Sequence, residues 1–360
     1  MQLRLMSKPR LILHIGSQKT GTTSIQKFLE INRHYLYEQD IYIPDNLGGM
    51  NHRHAVFIAE NTDKREDAFT ISRGLEGNEE KKRCFKHKVL NTLEAQCKKY
   101  KDKLWIVTSE FFQSRLNTDE EVDRLNRILG CLFSEVQIIC YVRDPLSTAI
   151  STWSTYVMSG GVAQQLPRAG TIFHNNCDHK SFITRWEKNF NYQKIIIRNF
   201  SKTCLINKNV IEDFCEQARI KCDKRFIYPE NRNSSLTHKG ILILSKLNSL
   251  TNNLELQQKN AIRKIMSLVV QRNFQEYPMY LPSQAEIIEY HELYFDSFKW
   301  VSNRYFDKFI STKESFKSKF REEEDSRFID SLQASDISFI KCMLDIYKLR
   351  EKKMSNQIRF

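Results

Sequence analysis

The chain has 360 residues, of which 41% are hydrophobic and 28% are charged, a composition typical of a globular protein with a sizeable core. Lysine and arginine outnumber aspartate and glutamate by 56 to 43, and the net charge of +13 favours anionic partners such as a phosphorylated nucleotide or an acidic glycan. Nucleic acid would fit this charge as well, but no zinc-finger, RNP or helix-turn-helix signature accompanies it, so we expect no nucleic-acid partner.

The cysteines and the amino terminus indicate a compartment. The nine cysteines are far apart and include no C-x-x-C pair, which is typical of reduced thiols rather than of a disulfide framework. Residues 1–7 are too short and too polar for a signal peptide, and no apolar run approaches the roughly 20 residues that span a bilayer. We therefore expect a cytoplasmic protein without a membrane span.

The strongest local signal lies between Leu11 and Phe28. Apolar residues of strand type lead into a loop bracketed by Gly16 and Gly21, and a helical pattern starts directly after the second glycine and continues towards Tyr37. Such a layout directs backbone N–H groups and a helix amino terminus at one place, which favours a phosphate or a sulfate. The residues that we assign to this anion site are Ser17, Gln18, Lys19, Thr20, Gly21, Thr22 and Thr23.

This loop differs from the Walker loop. Gly16 and Gly21 have the Walker spacing, but Thr22 stands at the position of the Walker lysine, and Lys19 lies inside the loop instead. The Walker arrangement suits a triphosphate with magnesium, whereas this one suits a single phosphate that carries a good leaving group, without an obligatory metal. The alternative is an ordinary strand–turn–helix crossover.

The run QKTGTT, residues 18–23, resembles the loop that binds the 5'-phosphosulfate in the sulfotransferases that use 3'-phosphoadenosine 5'-phosphosulfate (PAPS). The resemblance implies that Lys19, with Thr22 and Thr23, stabilises the negative charge that grows on the 5'-phosphate as the S–O bond breaks. It also predicts 3',5'-ADP as the second product, and no metal requirement. No Cys/His cluster with metal-ligand spacing is visible in the sequence.

Two histidines follow in a segment that we predict to be an irregular surface loop, residues 41–54, because it contains a proline and paired glycines. A base must take the proton of an acceptor hydroxyl, and histidine titrates near neutrality, so His52 and His54 are candidates, with His52 ahead. Bacterial relatives often carry a similar pair here. The alternative is that both histidines cap the next helix, about residues 53–60, or contribute to substrate binding.

A third candidate base is Glu110, which follows a predicted buried strand at residues 104–108. Ligands of open parallel sheets bind beyond the carboxyl ends of the strands, so Glu110 should face the same crevice as the first loop. Three roles are open for it: the base itself, a residue that orients a histidine, or a structural acceptor for backbone N–H groups.

The second specific signal is the pair Arg143 and Ser151. Arg143 ends a predicted strand at residues 136–142, and Pro145 fits the first turn of the helix that follows. Ser151 comes eight residues after Arg143, about two helical turns into that helix. In the family that the first loop resembles, an arginine and a serine at this spacing hold the 3'-phosphate of PAPS, for which a guanidinium fork is well suited.

Several helices and one further strand complete the pattern. We predict a long helix with an apolar seam from Phe85 to Cys97, and a capping box at Thr118 that opens a helix ending at Gly130. A strand at residues 194–198 ends in Arg198, for which a structural salt bridge is the expected role. Further helices are predicted at these places: about 254–272, 282–306 and 337–347.

The resemblance covers roughly residues 9–307 and implies a three-layer, P-loop-like α/β fold with a central parallel sheet and a helical C-terminal part. We expect a sulfotransferase domain over 1–307, with a PAPS-binding core at about 9–232 and a helical part at about 233–307. Residues 308–360 form a charged helical extension, which either closes the fold or binds a partner or second subunit.

The implied reaction is transfer of SO₃ from PAPS to a hydroxyl or amine. Hormone- and drug-sulfating relatives add a late Arg-Lys-Gly element to the 3'-phosphate site, and this chain has none, so Arg198 or Arg232 would have to substitute. The carbohydrate-modifying branch fits better, and we expect a glycan or polysaccharide-precursor acceptor in a bacterium. Two rival hypotheses are a P-loop kinase, disfavoured by Thr22 in the Walker lysine position, and a non-catalytic protein that binds a nucleotide or a glycan.

Overall fold

A computed structural model describes residues 8–64, 66–190, 194–230, 235–252, 256–322 and 332–357. Within these ranges five strands form one sheet in the order β2-β3-β1-β4-β5, and every neighbouring pair is parallel. The strands are β1 (Arg10–His14), β2 (Ile41–Tyr42), β3 (Leu104–Thr108), β4 (Glu135–Val142) and β5 (Lys194–Asn199).

The helices of the described ranges surround this sheet or follow it. They are α1 (Thr22–Ile31), α2 (Arg33–Glu38), α3 (Arg53–Phe57), α4 (Ala68–Ser72), α5 (Glu79–Lys99), α6 (Phe111–Arg115), α7 (Asp119–Leu132), α8 (Pro145–Met158), α9 (His174–Cys177), α10 (His179–Asn189), α11 (Val210–Gln217), α12 (His238–Leu250), α13 (Leu256–Asn273), α14 (Gln284–Tyr305), α15 (Thr312–Ser315) and α16 (Ala334–Gln357). Short 3-10 helices lie at Gly49–Asn51 and Ile206–Lys208.

The chain divides into two compact units. The first contains the whole sheet and comprises the described residues up to 143, together with 178–230 and 296–309. The second comprises 144–177, the described residues of 235–295, and those from 310 onward, and it is helical in its regular structure.

The first unit has three layers because successive side chains of a strand point to opposite faces of the sheet. On β1, Leu11 and Leu13 pack into one apolar cluster with residues of α5, α7 and α10, whereas Ile12 packs into another cluster with residues of α1 and α11. Strands buried on both faces read as continuous apolar runs, as β1 and β4 do. The predicted α/β fold with a central parallel sheet and a helical C-terminal part is confirmed.

The second unit has its own core, centred on large aromatic side chains such as Trp153 and Tyr290. The indole Nε1 of Trp153 donates a hydrogen bond to the Ala163 carbonyl at 2.9 Å. Lys239 and Asp336 form an ion pair in which both side chains are buried. No helix in the described parts of the chain combines the length and apolar character needed to cross a membrane.

The structure corrects the predicted boundaries at three places. Residues 41 and 42 were predicted to be irregular but form the edge strand β2, which pairs with Leu104 and Trp105 of β3. The helix opened by the Thr118 capping box, which is confirmed, continues past Gly130 to Leu132. The first helix breaks at Asn32, because this buried side chain donates to the Ile227 carbonyl at 2.8 Å and accepts from its N–H at 2.7 Å.

Three buried histidines make the stability of the first unit dependent on pH. Burial lowers the pKa of His14 to about 3 and the pKa values of His52 and His179 to about 4, against 6.5 for an ordinary histidine. Below pH 6.5 the unfolded chain therefore binds protons that the folded chain does not. The free energy of unfolding should fall, by about 1.4 kcal/mol per pH unit for each histidine, as the pH drops from 6.5 towards about 4.

Urea unfolding at several pH values in this range measures the slope. His179→Gln should reduce it by the share of one histidine, whereas His34→Gln should not change it, because the His34 side chain is 81% exposed. Equal slopes for the two variants would contradict the assignment.

Candidate active site

The site lies at the carboxyl ends of the strands in the first unit. β1 is paired with β3 on one side and with β4 on the other, so the chain leaves three adjacent strands at the same edge. The segments that follow these strands are residues 15–21 after β1, 109–110 after β3 and 143–144 after β4. Because the strand order changes direction at β1, this edge is where an open parallel sheet forms a ligand crevice.

The segment after β1, residues 15–21, is called the β1 loop below, and its polar groups hold it in shape. The N–H and the hydroxyl of Ser17 both donate to the Tyr141 carbonyl, at 3.0 and 2.9 Å. The hydroxyls of Thr20 and Thr22 donate to the Ser17 carbonyl at 2.6 and 3.3 Å. The side chains of Ser17, Thr20 and Thr22 are buried, so their hydroxyls stabilise the conformation of the loop. Of the other predicted residues, Gln18 and Lys19 are half-buried and Thr23 is exposed.

Gly21 turns the β1 loop into α1. Its φ of 78° lies in the left-handed region, and a Cβ at this position would lie 2.9 Å from Val210 Cγ1 and 3.1 Å from the Phe200 ring, so glycine is required. Gly21, the residue before α1, has no side chain that could cap this end of the helix. The first N–H groups of a helix have no intrahelical acceptor, so this end of α1 is suited to bind an anion.

Lys19 and Arg143 bring two positive charges to this place from neighbouring strands. Lys19 has a φ of 65°, an uncommon conformation for a residue with a side chain. Burial, and then the positive charge of Arg143, lower the pKa of the Lys19 ammonium group. Arg143 is held where β4 ends, because His179 Nε2 donates to its carbonyl at 2.6 Å and its guanidinium lies 5.9 Å from the centre of the Phe200 ring.

Glu110 lies directly beside the β1 loop. A Cβ on Gly16, whose φ is 95°, would lie 3.1 Å from the Glu110 Cα, so the two backbones are in close contact. The carboxylate Oε2 of Glu110 accepts a hydrogen bond from the Nε2 of Gln26 at 2.8 Å. Sequence reasoning missed Gln26; the signal that could have found it is a polar residue adjoining the apolar stripe of α1.

His52 is placed in the interior. Its side chain is 1% exposed; the Thr108 N–H donates to its Nδ1 at 3.0 Å, and its Nε2 donates to the Pro44 carbonyl at 2.9 Å. Both ring nitrogens are therefore occupied by backbone groups, and burial favours the neutral ring. This geometry indicates a structural role, in which the His52 ring links the end of β3 to the segment before α3 by hydrogen bonds.

His54 is half-buried among aromatic side chains and takes no part in the hydrogen bonds of His52. Its ring packs edge-on against Phe69 and Phe85, and the Arg73 guanidinium donates to its Nε2 at 3.3 Å. Burial, and then the charge of Arg73, lower its pKa. In the described ranges no group of three His, Cys, Asp or Glu side chains is arranged to hold a metal ion.

Three further residues were predicted to contribute to the 3'-phosphate site. Ser151 is on α8 in the second unit, so its pairing with Arg143 stays a prediction. Arg198 forms the expected structural salt bridge: its Nε and Nη2 donate to the two carboxylate oxygens of buried Asp213, at 3.0 and 2.5 Å. Arg232, its proposed alternative at the 3'-phosphate, lies outside the described residues.

Comparison with known proteins gives distant structural similarities. No family model and no curated protein matches the chain. A sulfotransferase from Alicyclobacillus acidocaldarius is 13% identical with a TM-score of 0.38, over 74% of this chain and 95% of that one. The sulfotransferase domain of the curacin biosynthetic pathway is 10% identical with a TM-score of 0.36, over 75% and 99%. A structure of the PezAT toxin–antitoxin system of Streptococcus pneumoniae is 15% identical with a TM-score of 0.28, over 68% and 86%.

Gly21→Ala tests the conformation of the β1 loop. The alanine would have to adopt a left-handed conformation and displace Val210 or Phe200, so we expect a loss of stability of about 1–2 kcal/mol together with weaker anion binding. Gly130→Ala is the matched control, because Gly130 lies within α7 with nothing near its Cβ position, and alanine there should stabilise by about 0.5–1 kcal/mol. Thermal unfolding measures both, and equal effects would contradict the role of Gly21.

Proposed function

We propose that this protein is a sulfotransferase that uses PAPS. The observation that carries the proposal is the hydrogen bond from the Ser17 N–H to the Tyr141 carbonyl at 3.0 Å, which sets the loop of Lys19 beside the end of β4, where Arg143 follows. Two cations near enough for the charge of one to lower the pKa of the other repel each other, and a bound anion relieves that repulsion. The QKTGTT sequence of the same loop makes a phosphosulfate the favoured anion.

The residues present fit such a donor. The first N–H groups of α1 and the ammonium group of Lys19 would hold the 5'-phosphosulfate, and Arg143 would hold the 3'-phosphate. A share of Ser151 in the 3'-phosphate site stays a prediction from the sequence. When bound, PAPS supplies an activated sulfuryl group whose S–O bond to the 5'-phosphate breaks. Lys19 would then stabilise the negative charge that develops on the 5'-phosphate, an electrostatic role that needs a positive group fixed in advance.

Among the three candidate bases, Glu110 has the best geometry. It is half-buried rather than enclosed, it contacts the β1 loop at Gly16, and among the described residues its Oε1 has no hydrogen-bond partner. His52 has both ring nitrogens engaged by the backbone, and the Nε2 of His54 is engaged by Arg73. We infer that the acceptor hydroxyl attacks sulfur while Glu110 takes its proton.

The acceptor that we propose is a glycan or a polysaccharide precursor. A polyhydroxylated acceptor offers the hydroxyl that the reaction requires, and the net charge of +13 favours an acidic one. The absence from the sequence of the late Arg-Lys-Gly element agrees with the carbohydrate-modifying branch of sulfotransferases.

The donor assignment predicts that 3',5'-ADP binds and stabilises the protein without Mg²⁺. Lys19→Met should weaken that binding at least about tenfold, because it removes a charge from a partly desolvated phosphate site. Lys27→Met is the matched control: it removes the same charge from an exposed position on α1 and should leave the affinity unchanged. Calorimetry with 3',5'-ADP and with ATP measures these affinities. Binding of ATP that depends on Mg²⁺, with none of 3',5'-ADP, would favour a P-loop kinase instead.

The base assignment predicts different losses in two variants. Glu110→Gln should lower the turnover of sulfate transfer by about 10²–10⁴-fold with 3',5'-ADP affinity retained, because the amide cannot take a proton. His52→Ala should instead lower the free energy of unfolding by about 1–3 kcal/mol, because the buried Thr108 N–H loses its acceptor, while the folded fraction keeps its turnover. A screen of glycan acceptors with PAPS provides the assay. Transfer that survives in Glu110→Gln and disappears in folded His52→Ala would reverse the assignment.

A further inference from the structure

We propose that Gln26 is a positioning residue for Glu110: its amide fixes the orientation of the carboxylate. This inference rests on the proposed function only in naming Glu110 as the base. The contact between the two side chains is a feature of the fold itself. Gln26 acts through Glu110 and contacts no reacting atom.

The burial of Gln26 requires a partner for its amide. Gln26 is 3% exposed and lies on α1 next to Ile25, which is fully buried, and one turn from Leu29. A buried amide without a hydrogen bond costs free energy in the folded state, so the side chain of Gln26 needs a partner in a fixed position. Its Nε2 donates to Glu110 Oε2 at 2.8 Å, a length typical of a hydrogen bond to a charged group.

Both ends of the β1 loop are thereby connected to Glu110. At the start of the loop, the Gly16 backbone lies against the Glu110 Cα. At its end, Gly21 begins α1, and Gln26 on that helix holds the Glu110 carboxylate. The anion-binding loop and the carboxylate therefore keep a fixed separation. A base needs this, because the hydroxyl that gives it a proton must at the same time attack the sulfur atom held by the loop.

The charges around Glu110 explain why an amide suits this position. Arg115, on the helix that follows Glu110, is directed to Glu60 and Asp67 at 3.2 and 3.5 Å, and Lys19 belongs to the loop. A lysine or arginine in place of Gln26 would stabilise the carboxylate as an ion pair and reduce its ability to accept a proton. A neutral donor orients the carboxylate with a smaller loss of basicity than an ion pair would cause.

The test is a carbon-13 NMR titration of the Glu110 carboxyl group, assigned by its loss in Glu110→Gln. In Gln26→Met, which keeps the volume and removes the donor, the titration midpoint should rise by about one pH unit. In Gln26→Glu it should rise further, because two carboxylates at this distance share a proton. An unchanged midpoint in both variants overturns the proposal.

A matched control and a second readout separate positioning from folding. Gln39→Met removes a similar amide, which donates to the Lys221 carbonyl at 3.0 Å, and should leave the midpoint unchanged. For sulfate transfer, Gln26→Met should lower kcat about tenfold, move the acid limb of the pH profile to higher pH, and leave KM for PAPS within about twofold. A raised KM with an unmoved pH profile would assign Gln26 to the folding of α1 and reject the proposal.

The two proposals fail in different ways. If wild-type protein does not bind 3',5'-ADP, the sulfotransferase assignment fails, whereas the carboxyl titration still decides whether Gln26 controls Glu110. If 3',5'-ADP binds normally and the midpoint does not move, only the role of Gln26 is lost.

Discussion

The hydrogen bonds of Tyr141 are the constraint on which the rest of the site depends. Its backbone N–H donates to the Gly16 carbonyl at 3.0 Å, and its carbonyl accepts both donors of Ser17. Its buried hydroxyl donates to Asp213 at 2.8 Å, and burial together with the charge of Asp213 raises the pKa of Tyr141, so the hydroxyl stays protonated. One residue in the middle of the fold thus fixes the β1 loop from behind and leaves its other side to a ligand.

Because the loop is fixed in this way, the protein can keep unfavourable features in it. Lys19 has a strained backbone and a partly desolvated charge near Arg143, and each feature costs free energy in the folded state. Such costs persist where the surrounding structure over-determines the conformation, as the hydrogen bonds to Ser17 do here. An anion that binds at this loop meets groups that are already oriented, and little reorganisation is needed.

The sequence predicted what is encoded locally and missed what depends on distant contacts. The strand, loop and helix around Gly16 and Gly21 are contiguous, and apolar periodicity with glycine punctuation was enough to predict them. The break at Asn32 could not be predicted, because it depends on a partner 195 residues away. His52 looked like a free base by residue type, yet both of its ring nitrogens form hydrogen bonds to the backbone of other segments, at Thr108 and Pro44. Gln26 was overlooked for the same reason: its partner, Glu110, is 84 residues further on.

The shortness of β2 has a consequence for how molecules of this chain behave towards each other. An outermost strand exposes unpaired amides and carbonyls to which a foreign strand can add, and long flat edges of this kind promote aggregation. Here one border of the sheet is two residues long, and after one further residue comes Pro44, which cannot donate to a ladder. A stray strand would find almost no template on that side. The same brevity that hid β2 from sequence patterns therefore limits strand addition at this border, whereas the opposite border is the six-residue strand β5.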